Sequence, residues 1–424
     1  MLDALRHQVE LWSKSDLCRM IIGTGSGRAF CAGGDVTSVL RDALDAETRP
    51  RAVDFFRKEF ELDYVLSQLP KPYVAVLDGI TMGGGVGLSI NAPFRVATDK
   101  TVFAMPETKI GFFPDVGASY FLPRLDGEVG TYLALTSETL VGREVFEHGL
   151  ATHYITSRSV PTLLAHLAAL ENPSFSQINR TIEELHIERQ PNEASGKLTG
   201  TVREALDVAF CHNTVEEIIQ NLEASTDASD TRVRLWARQT LETLRMRSPT
   251  SLKVALLAQR RGRHMSLSEA MQMEIGIATA YCSDASQDFR TGITAALINK
   301  IQGRPGWSPD NVTDVSPEIV DRFFSEHSPY RSLAPKLSVD NFPGRNFDFM
   351  TYSLPSESEL LDSIRPACAK GPVTIPGLLR TLDDACKRKF GTTEKILDIV
   401  HRKCDVTTIN GTATATWKGE SSRC

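Results

Sequence analysis

No apolar run among the 424 residues approaches the roughly 20 needed to cross a bilayer, which excludes a membrane-spanning helix. Paired cysteines are absent too. The eight cysteines, at 18, 31, 211, 282, 368, 386, 404 and 424, show no CxxC spacing. Neither a zinc site nor a disulfide framework is indicated, and a reducing compartment fits best. Positive charge is short, with 47 Lys and Arg against 53 Asp and Glu and a formal net charge of −6. That balance disfavours a dedicated nucleic-acid binder while leaving open a peripheral part of a ribonucleoprotein. Repeats and low-complexity tracts are also missing. The N-terminus, MLDALRHQVELWSKS, is amphipathic, but Asp3 and Glu10 argue against reading it as a cleaved transit peptide.

What is present is an ordinary globular composition, 41% hydrophobic and 24% charged. A chain this long buries a large core and has room for more than one folding unit. Its first half alternates strand-like and helix-like segments, the pattern of an α/β fold. Arg19 to Ile22 and Tyr73 to Leu77 are short apolar runs leading into glycines. Residues 51–69 read as a helix stopped by Pro70 and Pro72, with Phe55, Leu62, Leu66 and Leu69 on one face. Glu59 shares that face, where an acid needs a salt-bridge partner or a task. Val86 to Ile90 starts another helix, and Phe94–Ala97 and Thr101–Ala104 form strands around a turn. Residues 160–300 are helical, with breaks near Asn172-Pro173 and Asp227–Asp230. Pro249 is expected just outside a helix capped by Thr250 or Ser251.

The stretch 303–349 reads as a linker or surface wrap. Beyond it a capping-box pattern at Ser356–Glu359 opens a short helix, and helices follow near 376–389 and 393–404. Asn410-Gly411 then joins two strand-like runs as a hairpin. From Arg365 onward eleven Lys and Arg face six Asp and Glu, so this tail is basic on an acidic chain. The division expected is 1–340 and 341–424, the second part a small α+β appendage.

Chemistry concentrates between residues 29 and 115. Two glycine clusters, Gly33-Gly34 and Gly83-Gly84-Gly85, stand at strand–helix junctions and expose backbone N–H groups. Glu107 and Asp115 follow, eight residues apart, with no Ser-His pair between the glycines and these acids. Two amide junctions facing one carbonyl oxygen form an oxyanion hole, and the carboxylates are the strong bases or nucleophiles at hand. Clustered acids raise one another's pKa through repulsion and desolvation. His148 and His153 read as helix-end or surface residues, Cys31 as a small buried filler, and Arg260-Arg261-Gly262-Arg263 as a solvated face able to meet phosphates.

The order FCAGGD, DGITMGGGVGLS, FAMPETKIGFFPDVGASYFLPRL resembles the enoyl-CoA hydratase/isomerase (crotonase) superfamily, and more narrowly its 3-hydroxyisobutyryl-CoA hydrolase branch. The likeness continues through Ser248–Lys253 and Asp288–Ile293 and covers roughly residues 1–340. It implies a spiral of ββα turns, a helical C-terminal region used in homo-oligomer contacts, an acyl-CoA substrate and mitochondrial residence. No separate cofactor is implied, since CoA is part of the substrate. Gly34 and Gly84 map onto the oxyanion hole, and Glu59, Glu107 and Asp115 onto acidic active-site positions. Hydratases carry a glutamate where this chain has Gly87, so hydration lacks one acid–base partner and thioester hydrolysis, a step of valine catabolism, is the expected reaction. Asp115 and Glu59 are expected to bind the 3-hydroxyl of the acyl group or to order the attacking water. The resemblance also implies an initial strand hairpin with a CoA-binding turn, and this chain starts at the helix after it. The late start and the basic tail suit the rival reading, a non-catalytic component of the mitochondrial small ribosomal subunit.

Overall fold

The computed structural model describes residues 1–190, 192–339, 348–386 and 389–419. Eight short strands build the N-terminal half: β1 (Ile21–Thr24), β2 (Ala29–Cys31), β3 (Tyr73–Leu77), β4 (Ile80–Met82), β5 (Phe94–Thr98), β6 (Val102–Ala104), β7 (Leu140–Val141) and β8 (His153–Ile155). They form two four-stranded sheets, ordered β1-β3-β5-β8 and β2-β4-β6-β7. Successive turns of the chain place one strand in each sheet, which gives the spiral of ββα turns. All pairs are parallel except β6 with β7. β5 and β6 flank the expected turn but pair with β3 and β4 rather than with each other. β1 is the edge of its sheet and pairs with β3 alone among the described residues.

Every residue of β3 and β5 is buried, as strands covered on both faces must be. On one side lie α1 (Leu2–Lys14), α2 (Val36–Leu44) and α3 (Arg49–Ser67). α3 packs against α1, α2 and the helix Leu267–Cys282, and so is buried on more than one face. α4 (Gly84–Ile90) follows β4 and also meets α3.

Two expectations change in detail, and two lie where the structure is silent. Ser248, not Thr250 or Ser251, caps the helix Pro249–Gly262: its side chain accepts from the Ser251 amide, and Pro249 occupies the first turn, where its missing N–H costs nothing. The linker stretch contains a helix, Pro317–Phe324, whose Phe323 and Phe324 are buried. Residues 340–347, which include the expected domain boundary, and residues 387–388 at the end of the helix expected near 376–389 lie outside the described residues.

The C-terminal appendage has its own apolar cluster, built from the helices Glu357–Ala369, Ile375–Ala385 and Thr392–Lys403 under a three-stranded sheet. The hairpin β10 (Cys404–Ile409) and β11 (Thr412–Trp417) forms at Asn410-Gly411, and a strand unforeseen in the sequence, β9 (Val373–Thr374), completes the order β10-β11-β9. Charge ties this cluster to the rest. Glu357 pairs with Arg203 of the main body and Arg402 of the appendage, and Lys395 pairs with Asp126. Fully buried Arg95 of β5 binds the carbonyls of Ala92, Leu150 and Phe349 and the Ser353 hydroxyl, which anchors the segment leading into the appendage.

Candidate functional site

The site forms where the two glycine junctions meet. Gly33 turns with φ of +93°, and a β-carbon there would stand 3.4 Å from the Gly84 amide nitrogen. Gly84 opens α4, so its N–H is one of the donors a helix cannot satisfy internally. The Gly34 and Gly84 junctions are therefore adjacent, as an oxyanion hole requires. A side chain at either would displace a neighbour: a β-carbon on Gly34 would be 2.4 Å from Phe55 Cζ, and one on Gly84 would be 2.2 Å from Glu59 Oε1.

Glu59 thus presses its carboxyl onto the backbone of Gly84. Glu107, at the start of a 3-10 turn after β6, comes to the neighbouring glycine, with Oε1 3.2 Å from a β-carbon on Gly83. Asp115 sits in the next loop, followed by Val116 at φ of +53° and Gly117 at +85°. A β-branched residue in the left-handed region is strained, and strain of this kind is kept where the surroundings enforce it. The enforcement comes from Glu274 of the helix Leu267–Cys282. Its buried carboxylate accepts from the Gly117 amide at 2.7 Å, the Ser119 amide at 2.9 Å and the Ser119 hydroxyl. The Ser248 and Asp288 motifs brace the same region. Ser248 Oγ donates to Asp288 Oδ2 at 2.6 Å, and the Ser248 amide donates to the Thr108 carbonyl at 3.3 Å, inside the Glu107 turn.

Burial sets the electrostatics. Desolvation raises Glu59 to about 7 and Glu274 to about 7. It raises Glu107 to about 8, with the charges of Glu59 and Glu274 adding to the effect. Asp115 is driven well above the usual carboxylate range by burial and then by Glu107, Glu59 and Glu274. Glu107 Oε2 is buried without a hydrogen-bond partner. An acid buried without a partner and raised toward neutral pH is a candidate base or nucleophile. The salt bridge considered for Glu59 falls instead on Glu61, which takes Arg6, Arg57 and the Ser338 amide, while Glu59 has no ion pair among the described residues. Among the described residues no group of three His, Cys, Asp or Glu is placed to hold a metal ion.

The Enoyl-CoA hydratase/isomerase family profile matches residues 1–324. The chain belongs to the enoyl-CoA hydratase/isomerase family. Among curated relatives of this family member, the small ribosomal subunit protein mS47 of Neurospora crassa is 39% identical over 96% of this chain and 81% of its own length. The mitochondrial 3-hydroxyisobutyryl-CoA hydrolases of Gallus gallus and Homo sapiens are 42% and 40% identical, each over 76% of this chain and 81% of their own. A carnitinyl-CoA dehydratase from Mycobacterium thermoresistibile superposes with a TM-score of 0.67 at 30% identity, over 80% of this chain and 91% of that one.

Two acids of the site were not foreseen in the sequence. One is Glu274, on a helix whose pattern gives no hint of a catalytic neighbour. The other is Asp63, one helical turn beyond Glu59 on α3. Its spacing of four from Glu59 is the signal that finds it. Other readings need correction. His153 is not at the surface but fully buried in β8, bonded to Thr152 and Asn179. The arginine run is solvated at Arg261 and Arg263, which are exposed, whereas Arg260 is drawn inward: it pairs with Glu128 and holds the Phe210 and His212 carbonyls.

Proposed function

We propose that this protein hydrolyses an acyl-CoA thioester, 3-hydroxyisobutyryl-CoA to 3-hydroxyisobutyrate and CoA, in mitochondrial valine catabolism. The observation that carries the reading is Glu107 against Gly83, next to Gly84, while Gly87 supplies no acid. In this reading the amides polarise the thioester carbonyl. Glu107 attacks it to give a mixed anhydride that water cleaves, or acts as general base on water. Asp115 and Glu59 hold the 3-hydroxyl or the attacking water. The names of the animal relatives, at 40–42% identity, support the substrate. The test is release of free thiol from 3-hydroxyisobutyryl-CoA, with crotonyl-CoA hydration as the contrasting assay. Turnover of the first without the second is expected, and robust hydration without thiol release would overturn the reading.

A second reading has its own support. The match to the ribosomal relative runs through the appendage, covering 96% of the chain, whereas the hydrolase matches cover 76%. In that reading the protein is a component of the mitochondrial small ribosomal subunit. Co-sedimentation of the native protein with small subunits tests it.

A further inference from the structure

A cleft of about 280 Å³ lies where the C-terminal appendage meets the main body. The catalytic acids are elsewhere: Glu59, Glu107 and Asp115 do not line it. Val129 and Leu198 of the main body, Leu354 of the connecting segment and Leu397 of the helix Thr392–Lys403 give it apolar walls. Charged side chains make up much of the rest, five carboxylates against four Lys and Arg. A space of this size takes a ligand of roughly ten non-hydrogen atoms at the packing density of a protein interior.

The charges are not evenly matched around it. Lys395 pairs with Asp126, Arg203 and Arg402 share Glu357, and Arg402 also holds Asp398. Those groups are satisfied. Toward Arg189 the balance fails. Arg189 pairs with Glu147 and donates again to the Ala194 carbonyl. Glu394 feels the charge of Arg189 but makes no hydrogen bond or ion pair among the described residues. One arginine therefore faces two carboxylates. Burial raises the Glu147 carboxyl in spite of its pairing, so its negative charge is under-compensated where it stands. His148, also in the wall, adds no positive charge near neutral pH, because burial lowers it to about 4. His401 is exposed.

We propose that this cleft binds a small organic ammonium ion, its apolar body against Val129, Leu198, Leu354 and Leu397 and its cationic head on Glu394 and Glu147. An ammonium group has three donors and no acceptor, which suits two carboxylates short of a partner. A carboxylate or phosphate head would add negative charge where it is already in excess. A neutral head would cover Glu394 without pairing it, and that desolvation is costly. A bare metal ion would gain nothing from the leucines, and the described residues gather no three side chains able to hold one. The ligand touches both bodies of the molecule, so it favours their docked arrangement by mass action.

The test titrates the full chain by calorimetry with 2-phenylethylammonium and with two isosteres of other charge, 2-phenylethanol and 3-phenylpropionate. The ammonium ion should bind at least about tenfold more tightly than the alcohol, and the carboxylate more weakly than either. Glu394→Gln should bring the ammonium ion and the alcohol to within about threefold of each other, and Glu394→Lys should reverse the order of the ammonium ion and the carboxylate. Thermal unfolding without ligand shows that both variants fold, as expected for a half-buried side chain that bonds to nothing. Proteolytic cutting between the two bodies should slow in the presence of the ammonium ion. No binding of the ammonium ion, equal binding of the alcohol, or a preference that survives Glu394→Gln would each overturn the proposal.

Discussion

Gly87 and Asp63 are fitted to each other: a β-carbon on Gly87 would lie 2.3 Å from Asp63 Oδ2 and 2.7 Å from Val116 Cβ. The position where the resemblance led one to look for a hydratase glutamate is thus not merely vacant of an acid. Its space is taken by a carboxyl from another helix and by a residue whose backbone is already strained.

Gly87→Glu is accordingly expected not to confer hydratase activity, and to destabilise the fold by about 1–3 kcal/mol through overpacking. Combining it with Asp63→Ala should return part of that loss. Urea denaturation of the two single variants and the double variant measures the coupling; strict additivity would contradict the steric account.

Glu107→Gln keeps the shape of the side chain and removes its basicity. Thiol release should fall by about 10²- to 10⁴-fold while CoA thioester binding persists. Asp115→Asn should lower turnover by a smaller or comparable factor. Single-turnover kinetics with binding measured separately by calorimetry distinguish the two effects.

Activity and stability should respond to pH in opposite directions. Glu107 must ionise to act and is held up at about 8 from an ordinary 4.5, so turnover should rise between pH 6 and 8.5. For an acid raised in the folded state, the sign for stability reverses the usual one. The folded protein keeps a proton that the unfolded chain has released, so the stabilisation is full below about 4.5 and is lost as pH rises through about 8. Glu107→Gln should therefore be more stable than wild type by of order 1 kcal/mol or more at pH 9, and about equal to it at pH 4. Thermal melts at the two pH values give the answer.

Glu274→Ala leaves the Gly117 and Ser119 amides without their acceptor. A loss of about 1–3 kcal/mol is expected from the unsatisfied donors, together with a fall in turnover as the Val116 strain relaxes and Asp115 moves. Unchanged kcat in a folded Glu274→Ala protein would show that the Asp115 loop holds its shape unaided.

Glu357 is the charge that both bodies of the molecule share, held down to about 2 despite its burial by Arg402 and Arg203. Its stabilisation is present above the ordinary 4.5 and is lost as pH falls through about 2. Glu357→Ala removes the carboxylate that joins the two bodies while Arg203 keeps Asp207 and Arg402 keeps Asp398, and it should cost about 1–3 kcal/mol, with earlier proteolytic cutting between the appendage and the main body at neutral pH.

Local order in the chain was legible wherever one residue type decides a backbone state. Glycine at the strand–helix junctions, Asn410-Gly411 in the hairpin, and the Ser356 capping box all act over a few residues, and each stands where the sequence alone put it. The same holds for Glu107, Asp115 and Glu59 as members of one group, since motif order fixes which turns of the spiral carry them. Convergence was another matter. α3 is buried on more than one face, so its apolar period did not show that Glu61 would be paired and Asp63 left without a partner, although the spacing of four puts Asp63 on the side of Glu59. Glu274 reaches the site from more than 150 residues away, a distance over which sequence spacing says nothing about contact. The sequence determined which carboxyls the chain owns and the turns on which the motif acids ride. Only packing decided which of them are buried without counter-ions, and that burial is what raises their pKa values.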